Sequence, residues 1–169
     1  MKTKPLFLFV ILLFTQCTYA FDFFSTSKCK LSNGINIITS KHILTICSNN
    51  QVVKEFDVSL GRRGVGKKLR GDKKTPLGLY ELESPRKSNR YGIFIPIKYP
   101  THEQRLAGFT GSDVGIHGPI QRYTWFTSFN WANTAIDWTF GCIAVADNAK
   151  INYIADWIAR HPSAKVLIS

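Results

Sequence analysis

In Thr139-Phe140-Gly141-Cys142-Ile143-Ala144-Val145 a cysteine follows a glycine at the head of an apolar run. Glycine lets the backbone turn tightly, so successive amide N–H groups can converge beside the sulfur. Acyl transfer by a thiol needs such donors where the tetrahedral oxyanion forms. It also needs a base, because an unperturbed thiol with a pKa of about 8.5 is mostly protonated at neutral pH. His117 is the best base on offer. It lies in Val114-Gly115-Ile116-His117-Gly118-Pro119, at a strand end broken by glycine and proline, a position suited to facing a cleft. His42, His102 and His161 fall in a surface turn, a polar loop and the end of a helix, and none has glycine neighbours. No Asp or Glu is obviously placed to orient His117, which leaves that task to a backbone carbonyl. Read alone, a cysteine in this setting is more often a buried core residue. Zinc wants clustered ligands at short intervals; none occur, and no metal or cofactor is expected.

Between the two motifs runs an aromatic stretch, Gln121 to Trp138, that includes Tyr123, Trp125 and Trp138. It could cover a substrate, or fold over the core under its own rings.

The elements that must position these residues are mostly strands. Residues 43–47 and 52–60 flank the turn-prone Ser48-Asn49-Asn50-Gln51 and predict a hairpin. In its second strand Phe56, Val58 and Leu60 alternate with Glu55, Asp57 and Ser59, giving one buried and one wet face. A basic, glycine-punctuated loop follows from Gly61 to Lys74. Further strands are expected near 78–83, 92–98, 114–117, 142–146 and 164–168, with Pro96 marking a sheet edge. One helix is predicted, capped by Asp147, carrying Ile151, Ile154 and Ile158 on one face and stopped by His161-Pro162. Short strands with one late helix imply a mainly β domain, a curled sandwich or open barrel ending in a helix and a short strand.

The first twenty residues read as an export signal: Lys2 and Lys4, an apolar run from Leu6 to Phe14, then small residues at Thr18 and Ala20. Residues 21–39 read as an N-terminal segment and 40–169 as one domain. Removal of the signal leaves no segment suited to stable membrane insertion. The net charge is +11, of which the signal lysines supply two. Such a surface suits nucleic acid, anionic lipid or an acidic polymer; export to the periplasm or cell envelope argues against nucleic acid. Cys29, Cys47 and Cys142 remain, an odd number in an oxidising compartment. Cys29 and Cys47 could pair and leave Cys142 free.

Gly71-Asp72-Lys73-Lys74-Thr75-Pro76-Leu77-Gly78-Leu79-Tyr80 resembles the GDxxTPxGxY segment of YkuD-type L,D-transpeptidase catalytic domains. Gly115-Ile116-His117-Gly118 resembles their histidine strand, Thr139-Phe140-Gly141-Cys142-Ile143 their nucleophile motif, and Tyr99-Pro100 a Tyr-Pro pair common in them. From Asp137 to Val145 the chain is similar to the YafK-like branch, which includes hydrolases that detach lipoprotein from the wall. The resemblance implies a β-sandwich-like domain that acts on peptidoglycan stem peptides in wall biogenesis and cell shape. It implies Cys142 as the nucleophile forming a thioester with a diaminopimelate carbonyl, and His117 as its base. The Gly118 carbonyl would orient His117, the amides of Phe140, Gly141 and Cys142 would form the oxyanion hole, and Thr139 would support the loop. An amine acceptor makes the enzyme a transpeptidase. Water makes it a carboxypeptidase or an amidase freeing wall-linked lipoprotein, and loss of activity would leave a wall-binding domain. The chain departs from the main pattern at Phe140, where the motif has histidine, and at Ala144, where an arginine is common. It also spaces His117 and Cys142 by 25 residues. Arg122 is a candidate to replace the missing arginine.

Overall fold

The computed structural model describes residues 29–122 and 132–169. Its strands are β1 (Gly34–Ile38), β2 (Ile43–Ser48), β3 (Gln51–Ser59), β4 (Gly78–Glu81), β5 (Arg86–Ser88), β6 (Gly92–Pro96), β7 (Gly115–His117), β8 (Ile143–Val145) and β9 (Lys165–Ile168). The helices are α1 (His102–Leu106) and α2 (Asn148–Arg160). The nine strands form one sheet in the order β4-β9-β1-β2-β3-β8-β7-β6-β5. The β1–β9 and β7–β8 pairs are parallel and the remaining pairs antiparallel.

The β2–β3 hairpin turns at Asn49 and Asn50, both with positive φ (50° and 63°). That two-residue geometry follows the right-handed twist of the strands, and asparagine tolerates it. The sheet then curls until its two ends approach. Leu82, just past β4, bridges to Ile97, just past β6, and Lys98 N–H donates to the Glu81 carbonyl at 3.0 Å. The expected open barrel is therefore nearly closed. Its core is filled by alternate strand residues such as Ile35, Ile37, Leu44, Val58, Ile95, Ile116 and Val166. Against them lies α2, capped by Asp147, whose side chain accepts from Lys150 N–H at 2.8 Å. The helix buries Ile151, Ile154, Ala155, Trp157 and Ile158; each large side chain so removed from water contributes about 1.5–3 kcal/mol.

Three expectations change. The domain does not start at residue 40: β1 lies between β9 and β2, with Ile35 and Ile37 fully buried. Pro96 marks no sheet edge, because β6 pairs with both β5 and β7. It is tolerated because the β5 ladder has ended at Phe94, so no strand bond needs its missing N–H on that side. Ser59, expected on the wet face, is buried; its hydroxyl donates to the Ile136 carbonyl at 2.8 Å. Cys29 and Cys47 form a disulfide across 18 residues, a closure that stabilises the fold by about 3 kcal/mol. Cys142 is the free cysteine among the described residues.

Candidate active site

Parallel pairing of β7 with β8 brings the two sequence motifs together, with Ile116 opposite Ile143 and His117 opposite Ala144. Cys142, one residue before β8, thus stands beside Gly115. Cys142 and His117 line one cavity of about 570 Å³. The Cys142 thiol donates a hydrogen bond to the Asp113 carbonyl at 3.5 Å. His117 is fully buried, and its Nδ1 donates to the Gly118 carbonyl at 2.7 Å. A carbonyl only accepts, so Nδ1 holds the proton and Nε2 keeps a free lone pair. Nε2 is itself buried and has no hydrogen-bond partner among the described residues.

Aromatic rings fix the imidazole. Tyr91 stacks on it with centroids 3.8 Å apart and planes 20° from parallel. Phe94 lies parallel beyond at 6.2 Å, and Trp138 meets it edge-on at 5.7 Å. The indole N–H of Trp138 donates to the Asn133 carbonyl at 2.9 Å. A Cβ at Gly115 would sit 2.5 Å from the Phe94 ring, so glycine there makes room for this layer.

Burial sets both protonation states. It pulls His117 down to about 4, against the opposing Gly118 bond, with Arg90 adding to the fall. It pushes the Cys142 thiol up to about 11, against the Gly115 amide that faces the sulfur. At neutral pH the cavity holds a neutral thiol and a neutral imidazole, not a thiolate and an imidazolium. A small neutral alkylator reacts only with preformed thiolate. Alkylation of Cys142 by iodoacetamide is therefore expected to rise about tenfold per pH unit between roughly pH 7 and 10. A rate that is flat across that range would mean a preformed ion pair.

The loop that carries Cys142 is stapled by Thr139, itself buried. Its hydroxyl donates to the Cys142 carbonyl at 2.7 Å and accepts from Gly141 N–H at 3.1 Å. Its backbone bonds Leu60 and Arg62, while Asp137 accepts from Leu60 N–H at 2.7 Å. Gly141 adopts φ +126°, and a Cβ there would lie 2.6 Å from the Lys74 carbonyl. Because Thr139 engages the Gly141 amide, the Phe140 and Cys142 amides are the better candidates for an oxyanion. The Phe140 ring is 61 % exposed under the Arg62 guanidinium at 4.5 Å.

The basic loop forms another wall. Asp72 accepts from Lys67 Nζ at 2.9 Å and from the amides of Lys68, Leu69 and Lys74 at 2.8–3.1 Å. Tyr99, before a cis peptide bond to Pro100, donates its hydroxyl to the Lys67 carbonyl. These residues of the glycine-aspartate and Tyr-Pro motifs hold the wall in place.

Arg122 is exposed and is not part of the cavity lining. Tyr123 and Trp125 lie outside the described residues. Tyr91, Asp113, Arg86 and Arg90 line the cavity without having been picked out from sequence. The Asn89-Arg90-Tyr91-Gly92 turn carries no pattern that announces a stack on a histidine far along the chain.

The family model for the L,D-transpeptidase catalytic domain (YkuD) matches residues 32–168. A comparison with curated proteins found no match. Among solved structures, the chain is similar to the helical cell shape determining protein Pgp2 from Campylobacter jejuni (TM-score 0.64, 23% identity), covering 80% of this chain and 46% of that one. It is also similar to Bd1075 from Bdellovibrio bacteriovorus (TM-score 0.57, 22% identity), covering 82% and 48%. A third is the L,D-transpeptidase from Xylanimonas cellulosilytica (TM-score 0.50, 18% identity), covering 84% and 63%. The chain thus spans about half the length of the first two, and at these identities the likeness is one of fold. The family match over most of the sequence places this chain in the L,D-transpeptidase catalytic-domain family.

Proposed function

We propose that this chain is a peptidoglycan-modifying cysteine acyltransferase of the cell envelope, an L,D-transpeptidase with Cys142 as nucleophile and His117 as base. The reading rests chiefly on one observation. The Nε2 of His117 is buried and, among the described residues, unpartnered, in the cavity that holds the Cys142 thiol, while its Nδ1 is tied to Gly118. A buried acceptor without a donor costs about 1–3 kcal/mol, which a site about to receive a proton can justify.

The reaction follows from those atoms. Sγ attacks the diaminopimelate carbonyl of a donor stem peptide as His117 Nε2 takes the thiol proton. The oxyanion is met by the Phe140 and Cys142 amides. Collapse breaks the C–N bond, and the leaving amine of D-alanine takes the proton from Nε2, leaving a thioester on Cys142. An acceptor amine then attacks the thioester, its proton passes to Nε2, and the sulfur leaves as thiolate and recovers it. The neutral resting pair suits this sequence, because the proton moves only as the bond forms.

A wall-shaping context is in keeping with the similarity to Pgp2, described as a cell shape determining protein. Incubation with muropeptides, read by mass spectrometry, is the test: new cross-links are expected with loss of D-alanine. Loss of D-alanine or of attached lipoprotein peptide without cross-links would make the enzyme a hydrolase using the same thioester. No Cys142-dependent product would sink the catalytic reading in favour of a wall-binding domain.

A further inference from the structure

The β5–β6 hairpin places two arginines in the lining of the Cys142 cavity, Arg86 at the start of β5 and Arg90 in the turn. Each guanidinium lies over an aromatic ring of the wall. Arg86 covers Phe94 at 5.0 Å and Arg90 covers Tyr91 at 5.2 Å, measured to the ring centroid. Those two rings stack with each other and with the His117 imidazole. Both charges are thus mounted on the aromatic layer that fixes the base. Among the described residues neither arginine forms an ion pair with an acidic side chain. Among the described residues the lining contains a single acidic residue, Asp113, against Lys67, Arg70, Arg86 and Arg90, and Lys67 is already held by Asp72. On β8, Ala144 is fully buried and offers no charge.

We propose that Arg86 and Arg90 together bind the free C-terminal carboxylate of the donor stem peptide, so that the site selects a donor ending one residue beyond the attacked carbonyl. The proposal rests on acyl transfer at Cys142 and names what that site reads. A guanidinium presents paired N–H donors that match a carboxylate, and stacking on a ring restrains it in advance. The terminal carboxylate lies a short covalent step from the attacked carbon, so holding it sets the carbonyl over the sulfur. A donor whose leaving side continues into a longer chain has no anion at that place and leaves both guanidiniums unmatched.

Binding is measured apart from chemistry in the Cys142→Ala protein. Isothermal titration calorimetry compares a tetrapeptide stem ending in D-alanine with the same peptide bearing a C-terminal amide. The free acid is expected to bind roughly tenfold or more tightly, a charge-assisted bidentate effect. That preference should fall below about threefold in Arg86→Gln/Arg90→Gln and persist in Arg160→Gln/Lys165→Gln, a control that also removes two positive charges, on α2 and β9. Equal affinity for acid and amide in the parent protein, or a preference surviving in the double variant, overturns the proposal. Turnover of the tetrapeptide with Cys142 intact is scored separately. A carboxylate preference in binding without Cys142-dependent product supports the arginine pair and counts against acyl transfer alone.

Discussion

His117→Ala is expected to slow acylation of Cys142 by a carbapenem roughly a hundred- to ten-thousand-fold, the range for loss of a positioned general base. The size follows from the thiol. With its pKa pushed up to about 11, Cys142 holds very little thiolate at neutral pH and cannot attack a carbonyl efficiently unless its proton is taken during the attack. Among the described residues, the thiol's hydrogen-bonding contacts are the Asp113 carbonyl and the Gly115 amide, and neither is a base. Acylation is read by intact-protein mass against time. His117→Gln fills more of the same space between Tyr91 and Trp138 and cannot act as a base, so it should be equally slow while keeping the parent melting temperature. Free imidazole should restore part of the alanine variant's rate. Parent and alanine proteins acylating at the same rate would remove His117 from the mechanism. The pH dependence has a definite sign: His117 is pulled down to about 4, so base function is present above that pH and lost as the pH falls through it.

Much of this site could be read before any coordinates, and the reason is local. In the proposed mechanism Gly141, Cys142, His117 and Gly118 act partly through their own backbone, so the residues it calls on stand together in short motifs. The hairpin at Asn49-Asn50 and the Asp147 cap were legible for the same reason, since turn and cap chemistry is written in adjacent residues. What escaped was non-local. Tyr91 reaches His117 only because β6 pairs with β7, and Arg86 and Arg90 enter the cavity on the same hairpin. The parallel register of β7 with β8 is set by a long connection and not by any local pattern. Helix α1 shows the opposite failure. Its Thr101–Gln104 capping box is a sequence signal, but five residues burying nothing leave no hydrophobic period to support it. His102 therefore read as loop. Strand β1 was missed because its residues, Gly34-Ile35-Asn36-Ile37-Ile38, lack the alternation of a half-wet strand; the strand is buried on both faces.

Asp72→Ala is expected to destabilise the fold by about 3–5 kcal/mol, the cost of stranding a buried charge. Lys67 is 5 % exposed, and Asp72 is its acidic partner. The carboxylate also satisfies three backbone amides, so its loss releases the loop from Lys67 to Lys74 as well. That loop backs the site, with the Lys74 carbonyl closing against Gly141 and the Tyr99 hydroxyl bonded to Lys67. Urea denaturation measures the loss, and a change under about 1 kcal/mol would mean that water reaches Lys67 despite its burial. A Lys67→Met/Asp72→Leu pair should recover part of the stability, because the penalty belongs to the unpaired ion and not to the absence of an ion pair. The pH dependence separates this effect from simple packing. Partial burial raises the Asp72 pKa, but the Lys67 ammonium and the three amides outweigh it and hold the carboxyl well below the usual carboxylate range. A depressed carboxylate stabilises the folded state fully above its unfolded pKa, about 4, and loses that contribution as the pH falls further. The parent protein should therefore lose stability steeply below about pH 4, and Asp72→Ala should show a shallower acid limb. Equal slopes in the two proteins would place the acid sensitivity elsewhere, with Asp147, also held low, the next group to test.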